Sequence, residues 1–206
     1  MIAPDWIAPE RTALIVIDMQ VDFGAPEGEM ARRGADMAAP QAALVQAEAL
    51  VDAARSARVR VVFVRLFTHP GGENRIIREA KERQNDRDPD LCVEGTRGAD
   101  FIGPKPQAGD AIVSKTRFSA FARTGLGDQL HSWGIDTVVL AGLTTECCIQ
   151  SSAWNAFEQD FHVLIATDAC AAYEEELHRH TLRALELSGA TLASSAELTA
   201  VWSKYI

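Results

Sequence analysis

Short apolar runs rich in β-branched residues alternate along this chain with longer stretches of helical periodicity. That rhythm admits few folds, because strands separated by helices pair in parallel and are then covered on both faces. The strands read as Ala13 to Asp18, Val59 to Leu66, Ala111 to Ser114, Thr137 to Ala141, His162 to Ala166 and a short one near Thr191. Helices are expected from about Gln41 to Ala57, Thr124 to Trp133, Glu146 to Gln159 and Glu174 to Ser188, with Gly134 and Gly189 as C-caps. The fold class is therefore α/β, a six-stranded, mainly parallel sheet between layers of helix. A chain of 206 residues with 47% hydrophobic content can bury one full core, so residues 1–206 are expected to form a single domain.

Charge and composition exclude several functions. The net charge is −9 and no basic stripe appears, which argues against a nucleic-acid partner. The N-terminus has neither a basic start nor a long apolar run, and no apolar stretch approaches the roughly 20 residues that span a bilayer. The four cysteines, Cys92, Cys147, Cys148 and Cys170, form no Cys-x-x-Cys pair. They read as reduced thiols, and the expected location is the cytoplasm. Residues 70–89 break the rhythm with a charged stretch poor in core-forming side chains. They read as a solvated surface helix and loop, or as part of a lid spanning residues 67–100.

In an open parallel sheet, ligands bind outside the carboxyl ends of the strands. Asp18 closes ALIVID, Lys115 follows AIVS, and Cys148 follows TVVLAG and its turn. A carboxylate to accept a thiol proton, an ammonium to stabilise the thiolate and a thiol to attack a carbonyl make an acyl-transfer set. The start of the following helix adds backbone N–H groups, and its dipole is expected to favour a thiolate. The same positional rule also drafts His69 and Asp168, the first readable as a loop residue and the second as a turn cap. Both adjacent thiols are equally readable as small buried hydrophobes.

These blocks resemble the isochorismatase-like cysteine hydrolase family over nearly the whole chain. ALIVIDMQVDF resembles the family's first strand, with its catalytic aspartate at Asp18 followed by Gln20 and Phe23. GDAIVSKTRFSAFARTGLGDQL resembles the segment of the catalytic lysine, Lys115. GLTTECC resembles the Gly-x-x-Thr-(Asp/Glu)-x-Cys nucleophile turn and puts the nucleophile at Cys148, with Cys147 in the variable position before it.

The resemblance implies a Rossmann-like sheet of order 3-2-1-4-5-6 and a homo-oligomer, dimer or tetramer. It also implies a non-proline cis peptide between Leu143 and Thr144, with an oxyanion hole from the amides of Thr144 and Cys148. A nucleophilic cysteine argues for hydrolysis of a C–N bond in a small carboxamide or ureide rather than vinyl-ether cleavage. Family nicotinamidases carry an Asp-x-His…His metal set after the second strand. Here VRLFTHP supplies His69 alone, so neither a metal nor another cofactor is expected.

The candidate substrate-binding residues are Phe23, Arg117 and Phe118, with Trp154 as a further ring contact; all three aromatics are equally readable as core. Arg117, with Arg75, Arg78 and Arg97, could recognise a substrate carboxylate, although charged segments ordinarily just face water. The alternatives are a nicotinamidase-type hydrolase of aromatic amides and a catalytically silent binding homologue.

Overall fold

The computed structural model describes residues 2–69, 75–85 and 90–206. In chain order the elements are β1 (Thr12–Ile17), α1 (Val21–Gly24), α2 (Glu29–Arg32), α3 (Ala38–Ser56), β2 (Arg60–Leu66), α4 (Arg75–Gln84) and β3 (Ala111–Lys115). They continue with α5 (Leu126–Ser132), β4 (Thr137–Leu143), a π turn (Thr145–Ile149), α6 (Gln150–Phe157), β5 (His162–Ala171), α7 (Glu175–Leu187), β6 (Thr191–Ala193) and α8 (Ser195–Trp202). The six strands form one sheet in the order β3-β2-β1-β4-β5-β6, and every pairing is parallel.

All six residues of β1 are buried, as expected for a central strand with helices on both sides. Side chains alternate across the pleat. Leu14 and Val16 therefore meet Ala47, Leu50 and Val51 of α3 and Trp202 of α8 on one face. Ala13, Ile15 and Ile17 meet Leu130 of α5, Ile149, Ala153 of α6 and Leu185 of α7 on the other. In α3, positions 47, 50, 51 and 54 are all buried, the spacing of a single helical face. Among the described residues, no helix is long and apolar enough to cross a membrane.

The expected strands are present, and two run longer than their apolar content suggests: β4 reaches Leu143 and β5 reaches Ala171. The sequence reading missed α8, which a capping box between Ser194 and Glu197 starts. Asp168 also serves this helix start: the Ser195 amide and hydroxyl each donate to its carboxylate at 2.7 Å. Asp168 is thus a cap, the plainer of its two readings.

Gly142, near the end of β4, has φ 137°, and a Cβ there would collide with the Ile17 carbonyl oxygen of β1. Strand β1 can lie this close only because position 142 has no side chain. Gly142→Ala is expected to lower stability by roughly 1–3 kcal/mol through strain and displaced backbone. A urea midpoint equal to that of the parent would refute this reading.

Candidate active site

Strand order reverses beside β1, whose neighbours are β2 and β4. The carboxyl ends of these strands therefore open onto a common crevice. Asp18 follows β1 in a left-handed conformation, φ 54°, with its amide donating to Val64 O at 2.9 Å. Lys115 is the last residue of β3, in register with Leu66 of β2. Cys148 lies in the π turn that leaves β4, where Ile149 N–H donates to Thr144 O at 3.1 Å. The peptide between Leu143 and Thr144 is cis.

These side chains meet in the interior. Lys115 Nζ lies 2.6 Å from Asp18 Oδ2, and neither side chain has any exposed surface. The same ammonium donates to Cys148 Sγ at 3.5 Å and to Arg117 O at 3.0 Å. The Asp18 carboxyl faces the Lys115 ammonium and the Cys148 thiol, so it can accept the thiol proton.

Burial pushes the Asp18 carboxyl up, and Lys115 pulls it back. Burial opposes the charge of Lys115, yet Asp18 and Cys148 outweigh it and the net shift is upward. Contact with the Cys147 thiol, followed by burial and the Asp18 charge, holds the Cys148 thiol well above the ordinary cysteine range; Lys115 opposes these effects. The helix start is expected to favour a thiolate; contact between the two adjacent thiols lowers the pKa of Cys147 and raises that of Cys148, with burial and the Asp18 carboxyl adding to the rise.

Cys148, Lys115 and Thr144 open onto a cavity of about 460 Å³. Its walls include Phe23, Met30, Leu66, Phe67, Ile77, Leu91 and Phe118, and its polar groups include Arg33, Arg117, Glu146 and Tyr173. Phe23, Arg117 and Phe118 therefore all reach the cavity, with Phe118 still 54% exposed. Trp154 does not line it and lies at the surface, 39% exposed. His69 pairs with Glu94 at 2.8 Å, and Arg97 pairs with Glu27 at 2.6 Å, both away from the cavity. The side chains of Arg75 and Arg78 lie outside the described residues. Two hollows of about 560 and 570 Å³ open elsewhere on the surface, and neither is lined by a cysteine.

Two buried residues organise one wall. Gln20 donates to Leu66 O and Ala99 O, each at 2.9 Å, and accepts from Leu66 N at 2.8 Å. Asp22 accepts from Cys92 N at 2.8 Å. The ends of β1 and β2 are thereby tied to residues 90–101. The sequence reading did not assign these supports, nor Met30, Arg33, Glu146 and Tyr173. The available signal was slight: a buried Gln and Asp immediately after an apolar strand need internal partners.

Residues 12–197 match the isochorismatase domain family. The chain is 32% identical over 180 residues to the maleamate amidohydrolase of Pseudomonas putida, covering 84% of this chain and 78% of that protein. It is 28% identical over 178 residues to the ureidoacrylate amidohydrolase RutB of Serratia proteamaculans, covering 79% of this chain and 70% of the other. The crystal structure of a cysteine hydrolase from Pseudomonas syringae pv. phaseolicola shares the fold, with a TM-score of 0.85 at 23% identity over 98% of this chain and 96% of that one.

Proposed function

The chain belongs to the isochorismatase family, and from that premise we propose that it is a cysteine hydrolase cleaving the C–N bond of a small carboxamide or ureide. The observation that carries this reading is the interior contact of Lys115 with both Asp18 and Cys148 at the floor of a ligand-sized cavity.

Binding of a carbonyl compound lets Asp18 take the Cys148 proton as the sulfur attacks. The carbonyl π electrons move to oxygen, and the amides of Thr144 and Cys148 hold the oxyanion, an effect worth roughly 3–4 kcal/mol per donor. The C–N bond then breaks, and protonated Asp18 returns its proton to the departing nitrogen. Water, deprotonated by the same carboxylate, adds to the thioester; the C–S bond breaks and the thiol regains its proton. Lys115 keeps a positive charge beside whichever partner is anionic.

Phe23, Phe118 and Arg117 are the substrate contacts in this reading. Phe67, Thr68, Ile77 and Leu91 form part of the wall and act as a cover, while residues 70–74 and 86–89 of the expected lid lie outside the described residues. An ammonia-release screen over small amides and ureides tests the proposal, with each carboxylic acid compared with its methyl ester. Higher kcat/KM for the acids is expected if Arg117 pairs with a carboxylate. Equal or better values for the esters would remove that role and favour aromatic amides, which the ring-lined walls also suit.

The reaction as written requires no metal. Among the described residues, no group of three or more His, Cys, Asp or Glu side chains is arranged to hold one. Turnover is expected to survive dialysis against a chelator. Loss of activity that an added divalent ion restores would overturn this mechanism.

A further inference from the structure

The proposed hydrolysis uses one of two adjacent thiols and leaves the other without a task. Cys147 is partly open and Cys148 is 7% exposed, yet both line the same cavity. Their side chains are in contact, and the Lys115 ammonium reaches Cys148 Sγ at 3.5 Å. Position 147 is the variable one of the nucleophile turn, so the second thiol belongs to this chain and not to the turn as such. Two soft, polarisable sulfurs side by side on a cavity wall form a bidentate site for a soft acceptor.

Geometry separates the chemistries such a pair could perform. A direct S–S bond suits Cα atoms about 4.4–6.8 Å apart, whereas adjacent residues are fixed at about 3.8 Å, so oxidation to a disulfide strains the turn. A structural divalent cation such as zinc takes four ligands. Among the described residues, no group of three or more His, Cys, Asp or Glu side chains gathers here to supply them. A three-coordinate trivalent arsenic atom asks for two thiols only, since its third bond goes to a substituent it brings. Inserted between the sulfurs, it also relieves the crowding of a direct S–S bond. The adduct carries no net charge, so the buried pair of Asp18 and Lys115 stays balanced beneath it.

We propose that Cys147 and Cys148 together form a binding site for trivalent arsenic species of the type R–As(OH)2. Two As–O bonds break and two As–S bonds form. The thiol protons leave with the hydroxyls as two molecules of water, and no atom changes oxidation state. The substituent R extends into the cavity, where Phe23, Phe67 and Phe118 offer apolar walls, so an aryl group binds more tightly than a hydroxyl. Chelation ties up the nucleophile, and hydrolysis stops.

Phenylarsine oxide, which water hydrates to the R–As(OH)2 form, is the probe, and mass spectrometry of the intact protein reads its occupancy. One equivalent is expected to stay on the unmutated protein in excess monothiol and to leave when a dithiol is added. While it is bound, two fewer thiols should titrate. In Cys147→Ala, and likewise in Cys147→Ser, the concentration for half-occupancy should rise about 10²- to 10⁴-fold, the gain lost when one of two linked contacts is removed. An unchanged half-occupancy concentration in these variants would overturn the chelate.

Cys92 controls for a wrong pairing, since this buried thiol also senses the charges of Asp18 and Lys115. Cys92→Ala should hold the adduct as the unmutated protein does. An adduct lost there and retained in Cys147→Ala would overturn the assignment. Occupancy is read directly, so the site stands or falls even if the protein releases no ammonia, a result that refutes hydrolysis alone. Where ammonia is released, Cys147→Ala should keep most of its turnover and resist the arsenical by the same factor as its occupancy. Inhibition of that variant at the concentration that stops the unmutated protein would likewise overturn the site.

Discussion

Replacing Cys148 with alanine is expected to reduce turnover by on the order of 10⁴-fold or more, while Cys147→Ala retains most of it. Removing a nucleophile removes the covalent route, and losses of this size accompany deletion of residues that act as one catalytic unit. The two thiols are adjacent, yet they are not equivalent. Cys148 Sγ accepts from Lys115 Nζ and the residue is 7% exposed, whereas Cys147 is partly open and has no such contact. Successive residues in a helical turn point about 100° apart, so only one of them can face the buried ion pair. Steady-state ammonia release from the two purified variants decides the matter. Retained activity in Cys148→Ala, with loss in Cys147→Ala, would transfer the nucleophile to the neighbouring position.

Lys115→Met should affect both stability and catalysis. It keeps an apolar stem but leaves Asp18 ionised, buried and unpaired, a loss that typically costs 3–5 kcal/mol. The sign with pH follows from the direction of the Asp18 shift. Burial already raises its pKa above that of the unfolded chain, and Lys115 restrains the rise. Without the lysine the rise is greater. The stability penalty is then largest near neutrality and shrinks as acid protonates the carboxyl.

In the proposed mechanism activity requires ionised Asp18, so the acid limb of kcat/KM is expected above the ordinary aspartate range of about 4 and should move further up in the variant. Urea unfolding at several pH values, with a pH–rate profile, measures both effects. The double variant Asp18→Asn, Lys115→Met should regain most of the stability and remain inactive, because no charge is left unpaired. A pH-independent penalty would show that the lysine acts through packing alone.

The chemistry-bearing positions were legible because they sit at predictable places: the ends of ALIVID and AIVS, and the turn after TVVLAG. A parallel sheet collects such ends in one crevice whatever the connecting segments do. Local detail was less legible. The expected helix from Glu146 begins instead as a π turn, with α6 starting at Gln150, because the backbone must first turn out of β4. The charged stretch before Asn85 reads as a solvated helix, and α4 indeed exposes Ile76. Ile77 of the same helix nevertheless lines the cavity, a tertiary placement that helical periodicity cannot assign. Gln20 and Asp22 were opaque for the same reason: their partners, Ala99 and Cys92, are distant in sequence.

The sealed pair of Asp18 and Lys115 has a consequence for the arithmetic of charge. In the proposed mechanism, the interior before reaction holds one negative group, one positive group and a neutral sulfur. When the thiol proton passes to Asp18, it holds a neutral acid, the same positive group and a negative sulfur. The sum is zero in both states, so the step creates no net charge that water or counterions must screen. With no side-chain surface exposed on Asp18 or Lys115, dissolved salt acts chiefly at the rim, around groups such as Arg117. Ionic strength should therefore register in how substrate is captured and leave the rate of the bond-making step nearly unchanged.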